Sequence, residues 1–164
     1  HWRGQYPLAE TVEAFERLRE SGKIGRWGVS NFDVDDLLEL NTPVCATNQV
    51  LYNLEQRGIE FDLLPWCQQH KMPIMAYCPI GQGGKMLANA TLNQVATRHG
   101  VTPAQVSLAW LLRQDGVIAI PKAVRPEHVR LNAQAAQLQL EAGDLEALDQ
   151  AFHAPKRKQR LAMV

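Results

Sequence analysis

Long apolar runs and an excess of charge of either sign are both missing from this 164-residue chain. Its 17 Lys and Arg residues balance 17 Asp and Glu residues, so no overall field attracts nucleic acid or an anionic membrane. Apolar residues make up 46% of the chain, but none of their runs approaches the length of a membrane-spanning helix. We therefore expect a soluble protein with a substantial core, and neither nucleic acid nor a membrane among its partners.

Cysteine is also scarce. Cys45, Cys67 and Cys78 are odd in number and form no CxxC pair, which argues against a disulfide framework and a zinc site. They are interpreted as small apolar fillers with reduced thiols, as in a cytoplasmic protein. The histidines beyond position 1 are His70, His99, His128 and His153. Because their spacing is not that of metal ligands, no metal is expected.

Four short apolar runs end on side chains that can bind a polar ligand. These side chains are Ser30-Asn31, Gln49, Tyr77 and Lys122, and helical patterns separate the runs. The alternation predicts a parallel sheet, and the C-terminal ends of parallel strands meet on one rim, where ligand sites of such folds lie. The predicted strands cover residues 27–30, 47–50, 72–77 and 117–122.

Helix signals fill the stretches between these strands. Thr102 followed by Pro103 predicts an N-cap and a first helical position, and Pro126 predicts another helix start after the last strand. The stretch 78–84, which contains Gly and Pro, is predicted to be a loop. The remaining helices are predicted over residues 8–20, 34–40, 60–70, 92–98 and 142–152.

Several longer motifs follow one another along the whole chain. They are His1-Trp2, GKIGRWGVSNF at 22–32, NQV at 48–50 with Tyr52-Asn53, AYCPIG at 76–81 and IPKAVRPE at 120–127. In this order and spacing they resemble the carboxy-terminal half of an aldo-keto reductase, and in particular the bacterial methylglyoxal reductase branch of that superfamily. The resemblance covers residues 1–164 as one partial barrel domain, in which 153–164 form a carboxy-terminal tail.

The resemblance implies an α/β fold that runs from the end of strand 4 through strand 8 of a (β/α)8 TIM barrel, plus the final helix and tail. A complete barrel takes about 250 residues, so this chain is expected to supply about the last half of one. The family's proton-donating tyrosine, with its lysine and aspartate, would precede His1 and so lie outside residues 1–164. We therefore expect the chain by itself to bind cofactor poorly and to catalyse negligibly.

The activity implied by the resemblance is hydride transfer from NADPH to small aldehydes and ketones, methylglyoxal among them. His1 matches the histidine that hydrogen-bonds the substrate carbonyl, and Trp2 would line the substrate side. The alternative for His1 is a disordered terminal residue. The tail 153–164 would fold over the mouth of the pocket, with a solvated tail as the alternative.

Ser30, Asn31 and Gln49 match the family trio that holds the nicotinamide carboxamide. Tyr77 matches the tyrosine that stacks on the nicotinamide ring. Without the resemblance, Ser-Asn after a strand is typical of a helix N-cap, and a tyrosine at a strand end is typical of packing. The polar Gln49 on the next strand favours the ligand interpretation. The segment that would cross the cofactor pyrophosphate, or else be a plain flexible turn, contains Pro79, Ile80 and Gly81.

The resemblance implies that residues 122–132 bind the adenine end of the cofactor. Lys122 and Arg125 would bind the 2′-phosphate of NADPH, with a solvated surface as the alternative. Val124 and Asn132 would complete this end of the site. At three positions of the same site, where the family usually has serine, arginine and glutamate, the chain has Ala123, His128 and Leu131. NADPH remains the expected cofactor, and these replacements leave NADH as the alternative.

A second hypothesis is a stand-alone half-barrel that acts as a structural or interaction module. Its open strand edges would favour pairing with a second copy or with a separate amino-terminal half. A small carbonyl substrate is the partner expected under the first hypothesis, and self-association through the barrel edges is expected under the second.

Overall fold

The computed structural model describes residue 1 and residues 4–164. Its strands are β1 (Trp27–Ser30), β2 (Cys45–Leu51), β3 (Ile74–Tyr77), β4 (Pro79–Gly83) and β5 (Val117–Ala119). Its helices are α1 (Leu8–Glu20), α2 (Val34–Leu40), α3 (Leu63–Gln69), α4 (Ala90–His99), α5 (Pro103–Leu112), α6 (Pro126–Gln134) and α7 (Ala142–Ala151). Short 3-10 turns cover Gly58–Glu60 and Ala135–Gln137.

Four of these strands form one parallel sheet in the order β1-β2-β3-β5. At least one helix connects each strand of the sheet to the next, as parallel pairing requires. The predicted α/β class, with parallel strands that alternate with helices, is confirmed.

One face of the sheet is apolar and lies under the helices, and the other is more open and more polar. In β1, Trp27 and Val29 are buried while Gly28 and Ser30 are half-buried, and β3 alternates in the same way. The core therefore lies between the sheet and its helices. The alternation leaves the polar strand residues on the opposite face, which is where the candidate site lies.

Gly28 lets β1 and β2 come unusually close. A Cβ atom at this position would lie 2.6 Å from the Thr47 carbonyl oxygen, and the register of the two strands shifts between Trp27 and Val29. Because a backbone atom cannot move aside as a flexible side chain would, only glycine fits here without displacing a strand.

Several boundaries differ from the predictions, and the two largest differences are three residues each. The helix predicted over 60–70 begins at Leu63, because the preceding residues form a 3-10 turn and Asp62 caps the helix. The Asp62 Oδ1 atom accepts a hydrogen bond from the Leu63 amide at 2.9 Å. The last strand ends at Ala119 rather than at Lys122, since its register pairs with β3 stop there.

The predicted start of α5 is confirmed. Thr102 and Gln105 form a reciprocal capping box, and Pro103 occupies the first turn. The seven residues from 105 to 111 are all buried, as expected for a helix that packs on every side. None of the helices in the described part of the chain has the length and apolar character needed to cross a bilayer.

Candidate active site

The sheet register brings the predicted strand-end residues to one level. Ser30 lies opposite Gln49, although β2 continues two residues further to Leu51. The Ser30 hydroxyl donates to the backbone carbonyl oxygen of Gln49 at 3.0 Å, and the backbone amide of Asn31 donates to the same oxygen at 2.9 Å. Tyr77 lies on the third strand, opposite Leu51. These side chains therefore share one rim of the sheet.

Asn31 links two other predicted site residues. Its backbone is in the left-handed region, with φ of 57°, which asparagine tolerates better than most residues. Its Oδ1 atom accepts from the Tyr77 hydroxyl at 3.2 Å, and its Nδ2 atom lies 3.3 Å from Nε2 of His1. Because an amide nitrogen only donates, Nε2 of His1 is the acceptor in this pair. His1 thus contacts the cluster, whereas Trp2 lies outside the described residues.

Two buried asparagines, whose roles the sequence motifs did not predict, position the rim. The Asn48 Nδ2 atom donates to the Phe32 carbonyl at 2.8 Å and so fixes the turn after β1. The Asn53 Nδ2 atom donates to the Cys78 carbonyl at 2.9 Å, while its Oδ1 accepts two amides of its own loop. The signal that could have found them is a polar residue on the apolar side of a strand or just beyond its end.

The segment after β3 is more ordered than the loop that was predicted for 78–84. It contains β4, and a turn in which the Gly81 amide donates to the Cys78 carbonyl at 2.9 Å. Both residues have positive φ, 48° for Cys78 and 66° for Gly81. Pro79 is buried and Ile80 packs against the core, so these two side chains anchor the segment to the sheet.

The predicted adenine-end residues divide into two groups. Ala123 and Asn132 line a cleft of about 330 Å³ beside α5 and α6. Lys122 and Arg125 are exposed, and neither side chain has a hydrogen bond or ion pair within residues 4–164. Also exposed at this end are Val124 and His128. The structure thus places a small apolar cleft next to two cations that lack partners within residues 4–164.

The carboxy-terminal tail lies on the loops that follow β1 and β2 rather than free in solvent. The Lys158 Nζ atom is 3.3 Å from Oδ2 of Asp33 and 3.0 Å from Oδ2 of Asp62. Hydrogen bonding to Asp62 and Asp33 raises the pKa of Lys158. Leu161 packs against the core, and Gln159 lies beside Gly58.

Three other titratable groups, Tyr52, Cys45 and Cys67, are unsuited to proton transfer or nucleophilic attack. Tyr52 is fully buried, its hydroxyl donates to Glu60 at 2.8 Å, and burial raises its pKa, so it is a poor proton donor. Burial raises the pKa of Cys45, and it raises that of Cys67 to about 12, which keeps both thiols protonated. In the described part of the chain, no three His, Cys, Asp or Glu side chains are grouped to hold a metal ion.

The family to which the chain belongs follows from its similarity to known proteins. The sequence model of the aldo/keto reductase family matches residues 1–152. The chain belongs to the aldo/keto reductase family. This confirms the predicted resemblance, and the site cluster is therefore a feature of an aldo/keto reductase sheet.

Individual aldo/keto reductases are similar over most or all of the chain. Methylglyoxal reductase YeaE of Escherichia coli (strain K12) is 50% identical, across 100% of this chain and 61% of the relative. Glyoxal reductase of Bacillus subtilis (strain 168) is 34% identical, across 91% of this chain and 54% of the relative. A crystal structure of an aldo-keto reductase from Klebsiella pneumoniae in complex with NADPH matches with a TM-score of 0.97 at 51% identity, and covers 100% of this chain and 61% of that chain. The chain thus spans about three fifths of the length of these relatives, which is consistent with a partial barrel.

Proposed function

We propose that residues 1–164 supply part of the cofactor and substrate site of an NADPH-dependent reductase of small aldehydes and ketones, including methylglyoxal-like dicarbonyls. The observation that carries the proposal is the cluster of Ser30, Gln49, Asn31 and Tyr77 on one rim of a parallel sheet. It is supported by the similarity to a methylglyoxal reductase and to a reductase crystallised with NADPH.

The cluster fits the carboxamide of a nicotinamide ring, which when bound supplies the hydride. The Ser30 hydroxyl donates its proton to the backbone carbonyl of Gln49, so the lone pairs of the hydroxyl oxygen can accept from a carboxamide NH2 group. Asn31 and Gln49 each carry both donor and acceptor atoms. Tyr77, half-buried beside Asn31, offers a ring face for stacking. These residues fix the rotation of the ring, so that one face is turned toward the carbonyl.

We assign His1 to the substrate carbonyl. In the structure its Nε2 accepts from Asn31, whereas a hydrogen bond to a carbonyl oxygen needs a proton on that nitrogen. Substrate binding would therefore replace the Asn31 contact and turn His1 into a donor. Trp2 remains a predicted residue of the substrate side.

Lys122 and Arg125 are proposed to bind the 2′-phosphate of NADPH. Their side chains are exposed and lack partners within residues 4–164, so they need not break an ion pair to contact a phosphate. The neighbouring cleft with Ala123 and Asn132 is of a size and apolar character that suit a purine ring. The segment Pro79–Gly83 is proposed to pass over the pyrophosphate.

The test uses a completed chain, which is residues 1–164 preceded by the segment that precedes the matched region in the E. coli relative. Fluorescence titration gives Kd for NADPH and NADH, and consumption of NADPH with methylglyoxal gives turnover. For Lys122→Met we expect Kd for NADPH to rise about 10- to 100-fold, as for loss of one charge-assisted contact, with Kd for NADH nearly unchanged. Lys23→Met, an exposed lysine at the opposite end of β1, is the matched control.

The proposal is wrong if the completed chain folds, as shown by a cooperative thermal transition, yet binds neither cofactor. Equal affinity for NADPH and NADH, with no effect of Lys122→Met, would instead support the NADH alternative. Loss of binding in Lys23→Met would point to general damage rather than to a phosphate contact.

A second candidate concerns the 164-residue chain by itself: self-association through its open sheet edges. The observation that favours it is that β1 and β5 end the sheet order and that Ile118 of β5 is 48% exposed. Unpaired edges and exposed apolar strand residues promote pairing. Sedimentation should then show dimers for the chain alone and none for the completed chain, and a monomeric chain would refute this candidate.

A further inference from the structure

Lys158 differs from the other basic residues of the tail in its ion pairs. Within residues 4–164, the structure gives an ion pair to Lys158 and none to Lys156, Arg157 or Arg160. Its Nζ atom bridges two carboxylates from different loops, at 3.3 Å from Asp33 and 3.0 Å from Asp62. A single cation thus joins the tail to the loop after β1 and to the loop after β2.

The two aspartates divide their oxygens between two tasks. Oδ1 of Asp33 accepts from the Val34 amide at 2.8 Å and Oδ1 of Asp62 accepts from the Leu63 amide at 2.9 Å, so each caps a helix. The Oδ2 atom of each residue faces Lys158. The helix caps hold both carboxylates in place, and Lys158 therefore binds to a preorganised pair of acceptors.

The position of Asp33 brings this contact close to the candidate site. Asp33 follows Asn31 by two residues, in the turn that Asn48 fixes through the Phe32 carbonyl. Between the tail and the loop after β2 lies a cleft of about 340 Å³, lined by His153, Lys156 and Gly58 among others. A cleft thus separates part of the tail from this loop, so the ion pairs of Lys158 add to the contacts that Gln159 and Leu161 make.

We propose that Lys158 is a positioning residue that latches the tail 153–164 across the loops after β1 and β2, and so keeps the tail beside the rim at Asn31 where the substrate is proposed to bind. The inference rests on the proposed function for its effect on turnover. Its structural part, the attachment of the tail, is independent of that function.

The first test is limited trypsin digestion of the completed chain, with mass spectrometry of cleavage after Arg157 and Arg160. In Lys158→Met we expect this cleavage to be about three- to tenfold faster, as for the loss of two partly exposed ion pairs. Lys156→Met also removes one tryptic site from the tail but no ion pair, and is the matched control. Raising the salt concentration should accelerate cleavage of the parent chain and leave Lys158→Met nearly unchanged.

The variant Asp62→Asn distinguishes the ion pair of Asp62 with Lys158 from the role of Asp62 as a helix cap. Asparagine caps helices about as well as aspartate, so α3 keeps its start, but the charge that faces Lys158 is lost. We expect Asp62→Asn to speed tail cleavage, and to add little to Lys158→Met in the double variant. Lys158→Arg should restore the parent rate.

The second test measures kcat and KM of the completed chain with methylglyoxal. Release of the tail should raise KM about three- to tenfold with a smaller change in kcat, because the segment beside the proposed substrate side is loosened while the cluster at Asn31 is intact. Unchanged cleavage in Lys158→Met overturns the latch whatever the kinetics show. Faster cleavage with unchanged KM overturns the effect of the tail on substrate binding, and absence of turnover in every variant contradicts the proposed function alone.

Discussion

Arg57 is a buried cation in the loop after β2. It is 6% exposed, and its Nε and Nη2 atoms donate to the two oxygens of Glu60 at 2.9 and 2.8 Å. Its Nη1 atom donates to Asp149 at 2.7 Å and to the Phe152 carbonyl, and the guanidinium lies 5.0 Å from the ring centre of Trp110. One side chain thus ties the 3-10 turn to the end of α7.

We expect Arg57→Met to lower the free energy of unfolding by about 3 kcal/mol. Methionine keeps much of the side-chain volume, but it leaves the Glu60 carboxylate, only 14% exposed, without a cation and the Phe152 carbonyl without a donor. Breaking a buried pair costs about 3–5 kcal/mol. The value is set near the lower end because Asp149 is 51% exposed and loses little.

Urea unfolding of the completed chain measures this loss as a shift of the midpoint at constant slope. Asp149→Asn is the control, with an expected loss below about 1 kcal/mol. Adding Glu60→Gln to Arg57→Met should recover part of the stability, because the buried charge is gone while Tyr52 keeps its acceptor. A loss below about 1 kcal/mol for Arg57→Met would refute the reasoning, since the pair would then contribute no more than a surface contact.

Two further variants test the sheet and the outer helices. Gly28→Ala should lower the free energy of unfolding by about 1–3 kcal/mol, and with it the melting temperature, because the new Cβ would lie 2.6 Å from the Thr47 carbonyl oxygen. An unchanged melting temperature would show that the two strands move apart at no cost. Burial acts to raise the pKa of Asp144, but hydrogen bonds from His99 and the Glu141 amide outweigh it and hold the pKa below its ordinary 3.8. A lowered pKa in the folded state means stability that is present above pH 3.8 and is lost as the pH falls through the folded value. Urea unfolding measured at several pH values in this range should show that the free energy of unfolding falls less steeply with decreasing pH in Asp144→Asn than in the parent chain. Equal slopes would contradict the lowered pKa of Asp144.

Local chemistry explains what could be predicted from the sequence. Thr102 and Pro103 mark a helix start through a side-chain oxygen and a fixed φ, which are properties of adjacent residues, and the structure confirms them. The predicted start of α3 at residue 60 was wrong because Gly58–Glu60 form a 3-10 turn and Asp62 caps the helix that begins at Leu63. Gln49 was predicted at a strand end and lies inside β2, yet it is level with Ser30. Only the hydrogen-bond register between strands determines that alignment.

Contacts between distant segments could not be predicted in this way. The basic run of the tail gave no indication that Lys158 alone would meet Asp33 and Asp62. Likewise, Asn48 and Asn53 look like ordinary polar residues until the carbonyls of the neighbouring loops are placed next to them. Buried polar groups need partners, so such residues are recognised once their burial is known.

The rim is built so that each strand end is held by its neighbour. Ser30 of β1 donates to the backbone of β2, and Asn48 of β2 donates back to the turn after β1. Asn53, after β2, donates in turn to Cys78 after β3. These three hydrogen bonds, which support the cluster of Ser30, Asn31, Gln49 and Tyr77, all lie within residues 27–78. If the proposed function holds, the nicotinamide end of the proposed site should be preorganised in this segment, whereas the proposed substrate side also depends on His1 and on the tail that Lys158 attaches.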